Sequence, residues 1–225
     1  MSFIKYNIDS NIDAFSSSDE DSLPYKVLQM HQVHGDKIVI VEDRNTTRED
    51  LYGYDAIITN LHDLAIGVRS ADCVPILLYD PCQNVIAAIH SGWRGTVLKI
   101  SQKVIQRMIT MFSTNPEDII AVICPSIGID AFQIGEDVFD EFAKVGFQTD
   151  LIGYKHRERN ENDIATGYHI DLQKANEILL LECGLQKENI YTTGICTYQN
   201  HTDWHSARWT RNNKCRRNIN AIKIL

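Results

Sequence analysis

Residues 70–95 read SADCVPILLYDPCQNVIAAIHSGWRG. Two short, β-rich apolar runs, CVPILLYD and NVIAAIHS, flank DPCQN, whose Asp-Pro and Asn favour a tight turn, so the stretch predicts a β-hairpin. With Tyr79 or Asp80 facing Val85, opposed residue numbers sum to about 164 or 165, and a slip of one or two in the loop sets Cys73 opposite His90. Opposed residues share a sheet face, with Cβ atoms about 5 Å apart. A thiol and an imidazole distant in sequence are thereby expected to meet at the open end of the hairpin.

Beyond the hairpin, SGWRG leads into a helical pattern from Thr96 to Phe112, apolar at 97, 100, 104, 108 and 111. Free backbone N–H groups and the positive end of a helix dipole beside Ser91 and Arg94 would suit an anion. Two glycines making a turn around a packed Trp93 explain an isolated SGWRG equally simply. Two further helical patterns run from Glu136 to Phe147 and from Leu172 to Cys183, the latter capped by Asp171 and ended by Gly184. Strand candidates are KIVIVE, DAIITN and AIGVR before the hairpin, and IIAVICPSIG, NIYTTGICT and AIKIL after it. FSSSDEDS reads as a polar segment, and YKHRERNENDIATGY, residues 154–168, as a long surface loop of the kind that forms lids. Strands outnumber helices, and hairpins lie beside helical connections. The expected fold is an α/β (α+β) sandwich, a mixed β-sheet with packed helices, in one domain over residues 1–225.

Composition narrows the function. A formal net charge of −8 argues against general nucleic-acid binding, and the basic residues Lys214, Arg216 and Arg217 read as a solvated face. No apolar run reaches the 18 or so residues of a membrane span, and MSFIKYNIDSNIDAF lacks the apolar region of a signal peptide, so a cytoplasmic protein is expected. The six cysteines, at 73, 82, 124, 183, 196 and 215, show no paired spacing and read as reduced thiols.

His31 and His34 precede the KIVIVE strand in MHQVHGDKIVIVE. A lone histidine there is usually a packed or hydrogen-bonded side chain. His34 together with Cys73 and His90 would make a His₂Cys set, and three protein ligands with an open fourth position is the pattern of catalytic zinc. Spacing alone does not bring His34 to the hairpin.

The motifs HQVHG, DAIITN, SADCVPILLYD, AIHSGWRG, CPSIGIDAFQIGEDV and WHSARW, taken together, closely resemble the YfiH/laccase-domain family, formerly called polyphenol oxidases and later purine nucleoside phosphorylases. The likeness spans nearly the whole chain. It implies a zinc site of His34, Cys73 and His90, phosphorolysis of purine nucleosides including methylthioadenosine, deamination of adenosine, and a fold similar to that of bacterial toxin deamidases. The chain departs from the family pattern in three places. Ser18 stands where an arginine is usual, Phe132 and Gln133 replace a Tyr-Glu pair, and WHSARW keeps Ser206 and Arg208 but lacks a second arginine.

Under this reading the partners are a small-molecule nucleoside and phosphate, with no nucleic acid and no membrane; the residues give no oligomeric state. Zinc would activate water for attack at C6 of adenine. Asp72 is a candidate for moving protons, or equally for orienting His34 or His90. Ser91, Arg94 and Arg208 are the candidate phosphate contacts, the arginines offering bidentate pairing. Three alternatives stand beside it. A copper-dependent polyphenol oxidase also uses His₂Cys but needs a further imidazole-rich cluster, which eight histidines hardly supply. A hydrolase or amidase acting on peptidoglycan precursors would use Cys73 as nucleophile and His90 as base. A binding module would keep the fold without turnover.

Overall fold

In the computed structural model, which describes residues 2–160, 163–212 and 214–225 and only the backbone between 156 and 166, the hairpin forms the middle of a six-stranded sheet. Strands Val74–Asp80 and Val85–Ser91 pair antiparallel and are buried on both faces throughout. Continuous apolar runs fit this position, because a strand covered on both sides needs no polar alternation. The sheet order is Ile190–Thr192, Ile120–Ile123, Val74–Asp80, Val85–Ser91, Ala56–Thr59 and Ile38–Ile40, with parallel pairs at both edges.

One face of this sheet meets a five-stranded sheet of Phe3–Tyr6, Ile12–Ser17, Asn218–Ile224, Ile66–Ser70 and Leu28–Gln29. The two share a core that includes Ile57, Leu77, Tyr79, Ile86 and Ala88 from one and Ala14, Ile66, Val68 and Ile222 from the other. The opposite face packs Ile58, Ile76, Leu78 and Ile89 against helices Ile100–Phe112 and Leu172–Glu182. The layers are therefore sheet, sheet and helices, the mixed α/β sandwich expected. A third, three-stranded sheet joins Gln133–Ile134, Asp163–Ile170 and Gly153–Asn160.

The structure corrects several local expectations. Asp80 pairs with Val85 and Pro75 with His90, so the numbers sum to 165 and no further slip occurs. Cys73 thus lies beyond the last pair of the ladder, Val74 with Ser91, and is not opposite His90. The Thr96–Phe112 helix begins earlier and is broken, as Trp93–Val97 and Ile100–Phe112, with Lys99 left-handed at φ 57° between them. The polar FSSSDEDS segment contributes to strand Ile12–Ser17, and Ser16, Ser17, Ser18 and Asp19 are buried. Ser16 Oγ donates across the sheet to Asn220 Oδ1 at 2.6 Å, and Ser17 Oγ donates locally to the Asp19 carbonyl at 3.0 Å. The 154–168 surface loop is instead most of an antiparallel hairpin, Gly153–Asn160 with Asp163–Ile170; residues 161 and 162 of that stretch lie outside the described residues. All six cysteines are unpaired. No helix among the described residues is long and apolar enough to cross a membrane.

Candidate metal centre and its cleft

Asp55, fully buried at the start of the Ala56–Thr59 strand, organises the site. Its carboxylate accepts from the backbone amides of Val33 at 3.2 Å, His34 at 2.9 Å and Gly35 at 2.8 Å, wrapping the HQVHG turn around itself. His34 sits in that turn with φ 63°, a strained setting for a side chain other than glycine, and the three amide bonds compensate. The same carboxylate accepts from His90 Nδ1 at 2.9 Å, which leaves Nε2 as the donor available to a metal. Burial opposes the charge on Asp55, yet the His90 hydrogen bond and the amides of Gly35 and Val33 hold its carboxyl below the usual range. Sequence reasoning missed Asp55. Its only signal was an acidic residue directly before an apolar strand, which many turns share.

The ring centroids of His34 and His90 lie 4.9 Å apart and nearly perpendicular. Cys73 completes the group: one ligand atom from each of His34, Cys73 and His90 lies within 4.8 Å of the others. Because Val74 pairs with Ser91, the residue beside Cys73 is Gly92, and a Cβ there would stand 2.9 Å from the Cys73 sulfur. Glycine at 92 therefore makes room for the thiol. Burial favours the neutral thiol, but the His90 charge and hydrogen bonds from His34 and His90 outweigh it and bring Cys73 down to about 6. Burial likewise disfavours charged His90, and attraction to Cys73 with the Asp55 hydrogen bond raises it. A low-pKa thiolate, an oriented imidazole and a second imidazole in reach make a donor set that fits a metal ion, with a side open to the cleft. Among the described residues this is the one group of His, Cys, Asp and Glu side chains found to suit a metal.

The triad lines an open cleft of about 1110 Å³, together with Asp72, Arg94, Phe132 and Arg208. Arg94 is exposed, with its guanidinium 4.3 Å from the Trp93 ring centroid. The helix it starts has only five residues, so a dipole adds little and the guanidinium is the substantial anion contact. Arg208 Nη1 donates to the carbonyls of Ala131 at 3.2 Å and Gln133 at 3.0 Å, and its guanidinium lies over Phe132. Ser91 is placed elsewhere: fully buried, its hydroxyl donates to Asn176 Oδ1 at 2.8 Å and lies 3.1 Å from Thr96 Oγ1. Asp72 orients neither histidine. Its carboxylate accepts from Thr197 Oγ1 and from the Arg208 amide, each at 2.7 Å. Ser18 is not among the residues lining the cleft, whereas Lys214 and Arg217 are, which corrects the reading of that basic run as a purely solvated face. Arg216 points away, 3.5 Å from Asp21.

The sequence model described as multi-copper polyphenol oxidoreductase laccase matches residues 5–224. The chain belongs to this laccase-domain family. A purine nucleoside phosphorylase of Bacteroides thetaiotaomicron is 40% identical over 161 residues, 72% of this chain and 57% of that protein. Adenosine deaminase RL5, from an unknown prokaryotic organism, is 35% identical over 189 residues, covering 79% of this chain and 67% of its own length. The chain thus spans little more than half of the first of these curated relatives. Among solved structures, the hypothetical protein YfiH of Bacillus licheniformis superposes with a TM-score of 0.78 at 26% identity, over 88% of this chain and 74% of that one. Laccase-domain relatives therefore share the sandwich described above, and the motif-based assignment holds.

Proposed function

We propose that this laccase-domain chain is a zinc-dependent purine nucleoside phosphorylase, active on methylthioadenosine as well, that also deaminates adenosine. The observation that carries the reading is the convergence of His34, Cys73 and His90 in a cleft that also holds Arg94 and Arg208. The names of the two relatives above support the substrate class. His34, Cys73 and His90 would hold the metal, and two nitrogen donors with one thiolate and an open side suit zinc better than a cluster of copper ions. Zinc held there would supply a Lewis acid.

In phosphorolysis a phosphate oxygen bonds to the ribose C1′ while the bond from C1′ to the base breaks and its electron pair leaves with the base. Arg94 is suited to hold that phosphate, since its guanidinium is exposed to the cleft and offers a planar fork of donors. Arg208 has part of its fork committed to two carbonyls and presents the remainder beside Phe132. Asp72 serves as a positioning residue, fixing the start of the short helix Ala207–Thr210 that carries Arg208 by accepting from its amide. Ser91 supports the fold behind Arg94 rather than touching substrate. We place the reaction in one domain over residues 1–225 and in the cytoplasm, where six unpaired thiols are at home.

The lowered Cys73 and raised His90 pKa values favour one second reading, a metal-independent hydrolase with Cys73 as nucleophile. Elemental analysis of protein purified without added metal, followed by a nucleoside panel with and without phosphate, separates the two. The zinc reading expects about one zinc per chain, base release only when phosphate is present, and ammonia from adenosine without it. Absence of turnover on every nucleoside would leave a binding module, and turnover without metal would favour the hydrolase.

A further inference from the structure

The cleft holds more positive charge than a nucleoside and one phosphate ion require. Besides Arg94 and Arg208 it is lined by Arg48, Arg69, Arg211, Lys214 and Arg217, in a chain whose formal net charge is −8. Its one acidic lining residue, Asp72, already accepts from Thr197 and the Arg208 amide. Three of the arginines crowd together. Burial disfavours the charge on Arg69, Glu20 at 3.0 Å supports it, and Arg48 and Arg217 are near enough to oppose it by like-charge repulsion. Arg48 Nε is buried without a hydrogen-bond partner. Arg217 Nη1 donates to Cys215 Sγ at 2.9 Å. Like charges gathered in a half-buried part of a cleft repel one another, and an anion bound among them relieves that repulsion.

The cluster is also built into the metal-bearing turn. Gln32 Nε2 donates to the Arg69 carbonyl at 2.8 Å, and the Arg69 amide donates to Gln32 Oε1 at 2.9 Å. Gln32 lies two residues before His34, so the reciprocal pair holds the Arg69 backbone in register with the candidate ligand. The backbone that carries Arg69 is therefore tied to the turn that carries His34.

We propose that Arg48, Arg69 and Arg217 form a second anion subsite that takes a phosphate monoester carried on the ribose of the substrate, so that the cleft prefers a purine nucleotide to the nucleoside. The proposal rests on the purine reading above. The cleft, at about 1110 Å³, has room for the added group. Charge-assisted pairing of arginine with a phosphoryl group is strong enough to favour the nucleotide at least about tenfold.

The test is titration calorimetry of the zinc-loaded protein in phosphate-free buffer with inosine, inosine 5′-monophosphate and inorganic phosphate, each alone, since inosine without phosphate is neither deaminated nor cleaved. The monophosphate should bind at least about tenfold tighter than inosine, an advantage that shrinks as salt is raised. In the Arg48→Gln, Arg217→Gln double variant that ratio should fall close to one while zinc content stays at the wild-type value. Equal affinities for inosine and the monophosphate in the wild type overturn the proposal and leave the purine reading standing. Binding of neither overturns both. If inorganic phosphate alone binds in a way that depends on Arg48 and Arg217, and the monophosphate gains nothing, the cluster serves free phosphate and the proposal is wrong. The wild-type ratio and its salt dependence decide the matter even if the double variant does not fold.

Discussion

The Asp55 carboxylate accepts from three amides of the His34 turn and from His90 Nδ1, so one buried side chain positions two of the three candidate ligands. Asp55→Asn keeps the size but replaces one oxygen by a donor that faces other donors. Zinc affinity should fall about 10- to 100-fold, the usual cost of losing a carboxylate behind a ligating histidine, as read by competition with a chelator. An unchanged affinity would mean that His90 needs no such support. At Arg94 the expected effect is on chemistry alone. Arg94→Ala removes a charge-assisted contact worth roughly 1.5 to 3 kcal/mol, and phosphorolysis should drop about ten- to more than hundredfold. Deamination of adenosine needs no phosphate and should suffer less, with zinc content and melting temperature held. Equal loss of both reactions with a lower melting temperature would make Arg94 structural. His34, Cys73 and His90 were legible as ligand types in the sequence, and family motifs joined them. Asp55 was not, because a buried carboxylate becomes distinctive only through the four donors that the fold brings to it.

Among the elements, the central hairpin was readable because its two apolar runs and turn residues point to one pairing. Its exact register decides what lies beside Cys73, and here that is Gly92 rather than His90. Gly92 has φ −68° and ψ 178°, backbone that any residue adopts, so alanine brings a contact without strain. The added Cβ would stand 2.9 Å from the Cys73 sulfur and 3.5 Å from His34 Cδ2. Gly92→Ala should therefore lower zinc affinity by about tenfold or more while moving the stability of metal-free protein by less than about 1.5 kcal/mol. Chelator competition and denaturant unfolding check the two halves, and an equal zinc affinity would show that the thiol has room to shift. Other elements hid for physical reasons. The break at Lys99 interrupts an apolar period that reads continuously across it, and the left-handed residue costs about 1 to 2 kcal/mol that only tertiary packing repays. In the hairpin Gly153–Asn160 with Asp163–Ile170 the first strand is mostly charged and polar and offered no apolar alternation to count, while the second buries Tyr168 and Ile170 near its end.

Across the whole molecule, the central sheet is covered on one face by a second sheet and on the other by helices, which fixes the hairpin and the elements around it as a rigid frame. The mixed sandwich was foreseeable from the ratio of strands to helices, but the division into three sheets was not, because strands such as Phe3–Tyr6 and Leu28–Gln29 are too short to announce themselves. The frame delivers the HQVHG turn, the SADC loop and the end of the Val85–Ser91 strand to one cleft, and a chain that is acidic overall concentrates its arginines there. Such a focused field raises the encounter rate for anionic substrates. The central claim is that His34, Cys73 and His90 act jointly as a metal site on which turnover depends. It is tested most directly by measuring zinc stoichiometry and nucleoside turnover together in purified Cys73→Ala. The account predicts that both are lost while the fold persists; a metal-free Cys73→Ala protein with full activity would contradict it.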